Sequence, residues 1–268
     1  MRYIDTHTHL DFNVFDHDRE AVLDDCARLG VERMVVLGVG ANNWQRVWQL
    51  SQQHRALYVA FGLHPMFLEH HRPEHIAQLS VQLQATKSSD KLCAVGEFGL
   101  DFFIDNPDRE AQQQLFEQQL ALAADFELPA LLHVRRAHAQ CIATLKRYKL
   151  KRGGIIHAFS GSLEEAQEYI KLGFKLGLGG AATWPQAKRL HRTVANLPAN
   201  SMVLETDSPD MPPQFAAGLR NSPQHLPKIA RLLAELRKQP LQEFTEQCWH
   251  NSCELFDWAT KETDPCHF

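Results

Sequence analysis

Six side chains of the types that hold divalent cations are spread along this 268-residue chain: His7, His9, Glu97, His133, His157 and Asp207. Each ends or directly follows a short apolar run. His7 and His9 are two apart, so on an extended segment both imidazoles project to one face while Thr6 and Thr8 take the other. Four imidazoles and two carboxylates meeting at one point are the ligand inventory of a two-cation hydrolytic centre. A structural zinc site usually closes with four Cys or His ligands instead. Taken singly, each signal is ordinary, because a lone histidine is more often surface or core filler and the chain has 15 of them. His17, His54, His70, His71, His191 and His267 stand in polar or helical settings and read as filler. His133 and His157 close apolar runs, where an unpartnered imidazole is costly to bury. Glu97 and Asp207 there need a cation or a hydrogen-bond donor.

The elements that must position these residues show as short β-rich runs alternating with amphipathic stretches. Strands are expected at Tyr3–Thr6, Arg33–Leu37, Leu57–Phe61, Leu92–Gly96, Ala130–Val134, Gly154–Ala158, Phe174–Leu178 and Met202–Leu204. A first helix is expected over Asp16–Leu29, with Ala21, Val22, Leu23 and Leu29 as its apolar stripe. Others run from an N-cap at Asn42 to His54, and over Pro73–Ala85, Asp108–Phe126, Ala137–Tyr148 and Pro185–Ala195. Ser162 opens a further helix, with Glu165 completing a capping box. Two more helices, near His225–Leu236 and Leu241–Phe256, close the chain. Eight strand–helix units in about 250 residues suit an α/β protein of the (β/α)8 TIM-barrel type, read as a single domain over 1–268. That fold gathers strand ends at its C-terminal mouth, where all six candidate ligands fall. A doubly wound open sheet would not collect groups from the first, fourth, fifth, sixth and eighth strands so readily.

Composition narrows the setting. A net charge of −4 and a pI near 6.4 argue against a protein that grips long duplex DNA by charge alone. No apolar stretch is long enough for a membrane span, and the start lacks the apolar core of a signal peptide. The six dispersed cysteines, with no Cys-x-x-Cys pair, read as buried reduced thiols of a cytoplasmic protein.

Over nearly its full length the chain resembles the TatD family of metal-dependent deoxyribonucleases, within the amidohydrolase-like TIM-barrel superfamily. The resemblance rests on Asp5-Thr6-His7-Thr8-His9, Gly62-Leu63-His64-Pro65, Gly96-Glu97-Phe98-Gly99-Leu100-Asp101 and His133-Val134-Arg135. It continues in His157-Ala158-Phe159-Ser160-Gly161-Ser162 and Glu205-Thr206-Asp207-Ser208-Pro209. It implies two divalent metal cations (Zn, Mg or Mn), one held by His7, His9, Glu97 and Asp207 and the other by Glu97, His133 and His157. Glu97 would bridge them, and a hydroxide between the cations would attack phosphorus. Asp207 would serve as general base and acid, and His64 would contact the scissile phosphate. Arg135 has the geometry to fork onto phosphate or to pair with a rim carboxylate. Glu205, two before Asp207, projects the same way and would orient the nucleophile or a ligand histidine, while Asp101 would support the mouth loop.

The sequence departs from the family after Asp101, where relatives often show Tyr and Arg. Here stand Phe102-Phe103-Ile104, and no Arg follows until Arg109. Phe102 and Phe103 suit base stacking or core packing. The Trp184-Pro185 loop and the His70-His71-Arg72 stretch suit substrate contact or a solvated rim. The expectation is a hydrolase of phosphodiesters that trims single-stranded DNA ends from the 3′ side, with no membrane involved. Two other readings use the same ligands: a metal-dependent hydrolase of an amide, ester or lactone, and a non-catalytic barrel that binds nucleotides or a protein partner.

Overall fold

Apolar runs rich in Val, Ile and Leu form eight parallel strands in a computed structural model that describes residues 1–259. They are β1 (Tyr3–Thr8), β2 (Val31–Leu37), β3 (Leu57–Phe61), β4 (Leu92–Asp101), β5 (Ala130–Arg135), β6 (Gly154–Ile156), β7 (Phe174–Leu178) and β8 (Met202–Leu204), paired in chain order. Parallel neighbours need crossovers. Helices α1 (Arg19–Arg28), α2 (Trp44–Gln53), α3 (Glu74–Thr86), α4 (Arg109–Asp125), α5 (His138–Tyr148), α6 (Leu163–Lys171) and α7 (Lys188–Asn196) supply them. Helices α8 (Leu226–Arg237) and α9 (Leu241–Phe256) follow the last strand. This is the (β/α)8 barrel that the alternation predicts.

Alternation along each strand divides the core into two layers. Leu57, Val59 and Phe61 of β3 pack outward with Leu79, Leu83, Phe116 and Leu120 of the helices. Ala60 of the same strand joins Val35, Leu37, Ala94, Leu131, Ile155 and Val203 inside the barrel, above Leu255 and Phe256 of α9. With both faces covered, all ten residues of β4 are buried.

The two strands that open the site run further than the apolar runs suggest. β1 continues through His7 to Thr8. β4 continues past Glu97, pairing with β5 as far as Asp101 opposite Arg135 after a register shift between Val95 and Phe98. Gly99 makes that extension possible: at φ +152° a Cβ there would run into the His133 carbonyl. Between β1 and β8 the ladder is short, and side chains do much of the closing. Backbone bonds run from Asp207 to His7 (2.9 Å) and from His9 to Ser208 (2.7 Å). The Thr6 hydroxyl donates to the Leu204 carbonyl (3.1 Å), and the Thr8 and Ser208 hydroxyls meet at 2.7 Å. Thr6 and Thr8 thus serve the seam from the face away from the histidines.

Three local expectations are corrected. Helix α1 buries Val22 and Cys26, four apart on one face, and leaves Ala21 and Leu29 exposed. Asn43, not Asn42, precedes α2, because residues 40–42 form a turn; its Oδ1 accepts the N–H groups of Val39 and Gly40. Helix α7 starts at Lys188, after a turn over 184–187. The Ser162–Glu165 capping box forms as expected. The five described cysteines are all buried free thiols, while Cys266 and His267 lie outside the described residues. Among the described residues no helix is long and apolar enough to cross a membrane.

Candidate active site

At the C-terminal mouth five imidazoles converge on one carboxylate. Glu97 Oε2 lies 3.1 Å from His7 Nε2 and 3.4 Å from His9 Nε2. Oε1 lies 3.1 Å from His64 Nε2, 3.2 Å from His133 Nδ1 and 3.4 Å from His157 Nε2. Asp207 joins the His7–His9 side, with Oδ1 3.6 and 3.7 Å from their Nε2 atoms. All six residues that the sequence singles out therefore meet, and His64 meets them too. A cavity of about 560 Å³ opens over the group, lined among others by His9, His64, Glu97, His133, Arg135, His157 and Asp207.

The outward nitrogen of each ring decides what the inward one can do. His9 turns Nδ1 to the Leu37 carbonyl (3.3 Å), His133 turns Nε2 to Asp101 (2.9 Å), and His157 turns Nδ1 to Glu205 (3.4 Å). At His9 and His133 an acceptor holds the outer N–H, so the neutral ring presents a lone pair to the centre; His157 Nδ1 stands at ion-pair distance from Glu205 without a hydrogen bond among the described residues. His64 is the opposite case. Its Nδ1 accepts the Met66 N–H at 3.1 Å, so Nε2 carries the hydrogen and points inward as a donor. Among the described residues donor atoms cluster closely enough for a cation in three sets: His7–His9–Asp207 and His7–His157–Glu205, which share His7, and a separate His64–Glu97–His133. The ring polarity argues against His64 as a ligand. In the second set, the Glu205 oxygen near His157 already accepts the Ala158 N–H at 2.6 Å.

Electrostatics agree with a centre made for positive charge. Burial works to raise the Glu97 carboxyl, but His64, His7 and His157 hold it well below the ordinary carboxylate range. Against burial, Glu97 and Asp207 lift His9 to about 9, and with Glu205 they lift His157 to about 10. Asp101 and Glu97 raise His133 in the same way. Burial and the charge of His157 push His7 far down, and burial lowers His64 to about 4. Burial raises Asp207 to about 6. Without metal, protons on His9 and His157 hold the place of cationic charge beside Glu97, so the donor set fits divalent ions.

Outside this cage, Asp101 does what the sequence suggests and more. Its Oδ1 accepts the N–H groups of Phe103 and Ile104 (2.8 and 3.3 Å), while Oδ2 holds His133. Asp5 is a buried residue whose structural part the sequence reading missed. It accepts from the His7 and Thr206 N–H groups and the Thr206 hydroxyl. An Asp two residues before a ligand histidine was the available signal. Glu205 and Asp207 do not project together, because β8 ends at Leu204 and Asp207 takes a left-handed φ of +59°. Glu205 reaches behind His157, and its Oε2 has no hydrogen-bond partner among the described residues. Among the described residues Arg135 forms no ion pair with a rim carboxylate; it stacks on Phe103. Phe102 packs on the core. Trp184 Nε1 donates to the Pro212 carbonyl, and His71 meets the His64 carbonyl at 2.8 Å, so both brace the rim.

Residues 4–257 match the family model described as TatD related DNase. The uncharacterized metal-dependent hydrolase YjjV of Escherichia coli is 42% identical over 96% of this chain and 98% of its own. Its crystal structure superposes with a TM-score of 0.92, covering 96% of this chain and 99% of that one. The 3′-5′ ssDNA/RNA exonuclease TatD of Erwinia tasmaniensis is 32% identical over 91% of this chain and 95% of its own. A hydrolase TatD family protein from Entamoeba histolytica, 20% identical, shares the fold at a TM-score of 0.84 over 96% of this chain and 98% of that one. Since the matched span runs from the first strand to the end of the last helix and encloses every residue of the cage, the chain belongs to the TatD-related DNase family.

Proposed function

We propose that the protein is a metal-dependent phosphodiesterase that removes nucleotides from the 3′ end of single-stranded DNA, working as one barrel domain over 1–268. The observation that carries this reading is the division of Glu97, with one oxygen toward His7 and His9 and the other toward His133 and His157. A carboxylate so placed suits two cations. His7, His9, Asp207 and Oε2 would hold the first, and His133, His157 and Oε1 the second. Such cations acidify a water and draw off charge that grows on phosphoryl oxygens. Imidazole-rich ligands favour Zn²⁺ or Mn²⁺, while phosphoryl chemistry often uses Mg²⁺.

The chain's own groups do the rest. His64, neutral and with Nε2–H directed inward, donates to a phosphoryl oxygen, and Arg135 binds the phosphate from the rim. Asp207, beside His7 and His9, would take up and return the proton through the carboxylate oxygen that does not hold the cation. Glu205 positions His157 and the Ala158 N–H. A net charge of −4 fits a substrate read locally rather than along its length. The buried free thiols fit a reducing cytoplasmic setting.

The test is metal-free protein reconstituted with Zn²⁺, Mn²⁺ or Mg²⁺ and assayed on end-labelled single-stranded DNA, on RNA and on simple amides and lactones. The expected result is stepwise loss of nucleotides from the 3′ end of DNA. Turnover of an amide or lactone with none of DNA would overturn the reading. Stoichiometric metal with no turnover would place the protein among non-catalytic barrels.

A further inference from the structure

Two adjacent arginines leave β5 on the same side. Along an extended strand, consecutive side chains point to opposite faces. Arg136, just past the strand end at Arg135, takes a left-handed φ of +53°, and both guanidiniums close on one ring. Their Cζ atoms lie 3.8 Å (Arg135) and 4.3 Å (Arg136) from the centroid of Phe103. A left-handed conformation is unfavourable for a residue with a Cβ, and so is gathering two like charges around one exposed ring. Neither guanidinium has an ion-pair partner among the described residues. By contrast Arg19, Arg46, Arg147, Arg152 and Arg220 all pair with carboxylates.

We propose that Phe103, Arg135 and Arg136 form a clamp for a second backbone phosphate of the single strand, next to the one being cut. The inference rests on the nuclease reading and deepens it. A guanidinium stacked on a ring keeps its in-plane N–H groups free, which is the geometry that takes phosphate. An arriving anion also relieves the repulsion between the two cations. Phe103 is 44% exposed and serves as the post that both guanidiniums lean on. The post is fixed to the catalytic cage, because the Asp101 carboxylate holds the Phe103 N–H with one oxygen and His133 with the other. Arg135 lines the mouth cavity, whereas Phe103 and Arg136 stand outside it. Arg135 therefore serves the phosphate at the cage, and Arg136 the next one along the strand.

The experiment measures binding apart from turnover. Metal-loaded protein is titrated by fluorescence anisotropy into a labelled phosphorothioate oligothymidylate of about eight nucleotides, over a range of salt. Arg136→Ala is expected to weaken binding about fivefold and to flatten the slope of log K against log salt by about 0.7, one phosphate contact on a single strand. Arg136→Lys should keep most of the slope, and Phe103→Ala should weaken binding in the same direction. On the unmodified strand the Arg136→Ala effect should fall on KM rather than kcat. An unchanged melting temperature for Arg136→Ala would place the loss in binding rather than folding. Wild-type affinity and slope in both alanine variants would overturn the clamp, as would a wild-type protein that binds no strand. If the wild type binds and Arg136→Ala does not, yet neither cleaves DNA, the clamp stands and the nuclease reading falls.

Discussion

Asp101 holds Nε2 of His133 at 2.9 Å, and this leaves Nδ1 as the nitrogen that faces Glu97. A ligand imidazole so oriented loses little freedom when a cation binds, and its basicity rises. Asp101→Ala should therefore lower metal affinity about 10- to 100-fold, measured by competition with a chromophoric chelator. Asp101→Asn keeps an oxygen for the loop N–H groups but can offer His133 a donor instead of an acceptor. A loss equal to that of the alanine variant would assign the effect to the imidazole and not to the loop. Unchanged affinity in both variants would remove the positioning role.

His64 provides the opposite polarity. The Met66 N–H occupies Nδ1, so the inward Nε2–H is a donor rather than a ligand. His64→Ala should keep its metal and lose about 100-fold in kcat, the usual cost of one lost donor to a developing oxyanion. His133→Ala should lose metal outright. Elemental analysis of both proteins beside their turnover distinguishes the roles, and metal loss in His64→Ala would make His64 a ligand after all.

Metal uptake should depend on pH in a direction the cage dictates. Burial works against the charged ring, but Glu97 and Asp207 lift His9 to about 9, and with Glu205 they lift His157 to about 10 in the metal-free site. Both rings hold protons at neutral pH, and a cation must displace them. Raising the pH removes that competition, so apparent affinity should climb from neutrality through pH 9 and flatten only above about pH 10, where both rings are neutral. Calorimetry in two buffers of different ionisation enthalpy should show proton release at pH 7. Affinity that stays constant over this window would mean that His9 and His157 are not ligands.

The barrel and the six-residue cage were legible because both rest on periodicity. Alternation placed His7 and His9 on one face, and apolar runs fixed the strands that carry Glu97, His133 and His157. What the sequence did not show depends on single dihedrals and on distant partners. Nothing local distinguishes Arg136 from a residue in ordinary extended backbone, yet its left-handed φ brings two guanidiniums onto Phe103. The two-residue spacing of Glu205 and Asp207 implied one face, but that rule holds only within a strand, and β8 stops at Leu204. The second role of Asp101 needed β5 beside β4. In α1 the stripe was misjudged because Ala21 lies off the Val22–Cys26 face, while Leu29, though spaced to continue it, comes after the helix ends at Arg28.

The seam between β1 and β8 gives the last prediction. Thr206 donates its hydroxyl to Asp5 Oδ2 at 2.6 Å, and both its N–H and that of His7 reach Oδ1. Burial nevertheless pushes the Asp5 carboxyl up to about 8 from its ordinary 3.8. Thr206→Val keeps the shape and removes the hydroxyl, so a buried oxygen loses its donor at a cost of about 1–3 kcal/mol, read by denaturant unfolding. The sign of the pH effect follows from the raised value: folding favours the protonated carboxyl. Its contribution is full below the ordinary range and is lost as pH rises through about 8. Asp5→Asn cannot ionise. In metal-free protein, wild-type stability should therefore fall more steeply than that of Asp5→Asn between about pH 5 and 8, and the two curves should run parallel above about 9. The histidines of the cage titrate alike in both proteins, so only the difference between the two curves reports on Asp5. Curves that are parallel below about pH 8 as well would mean that the carboxylate is already ionised at neutral pH and that its three donors, rather than burial, set its charge.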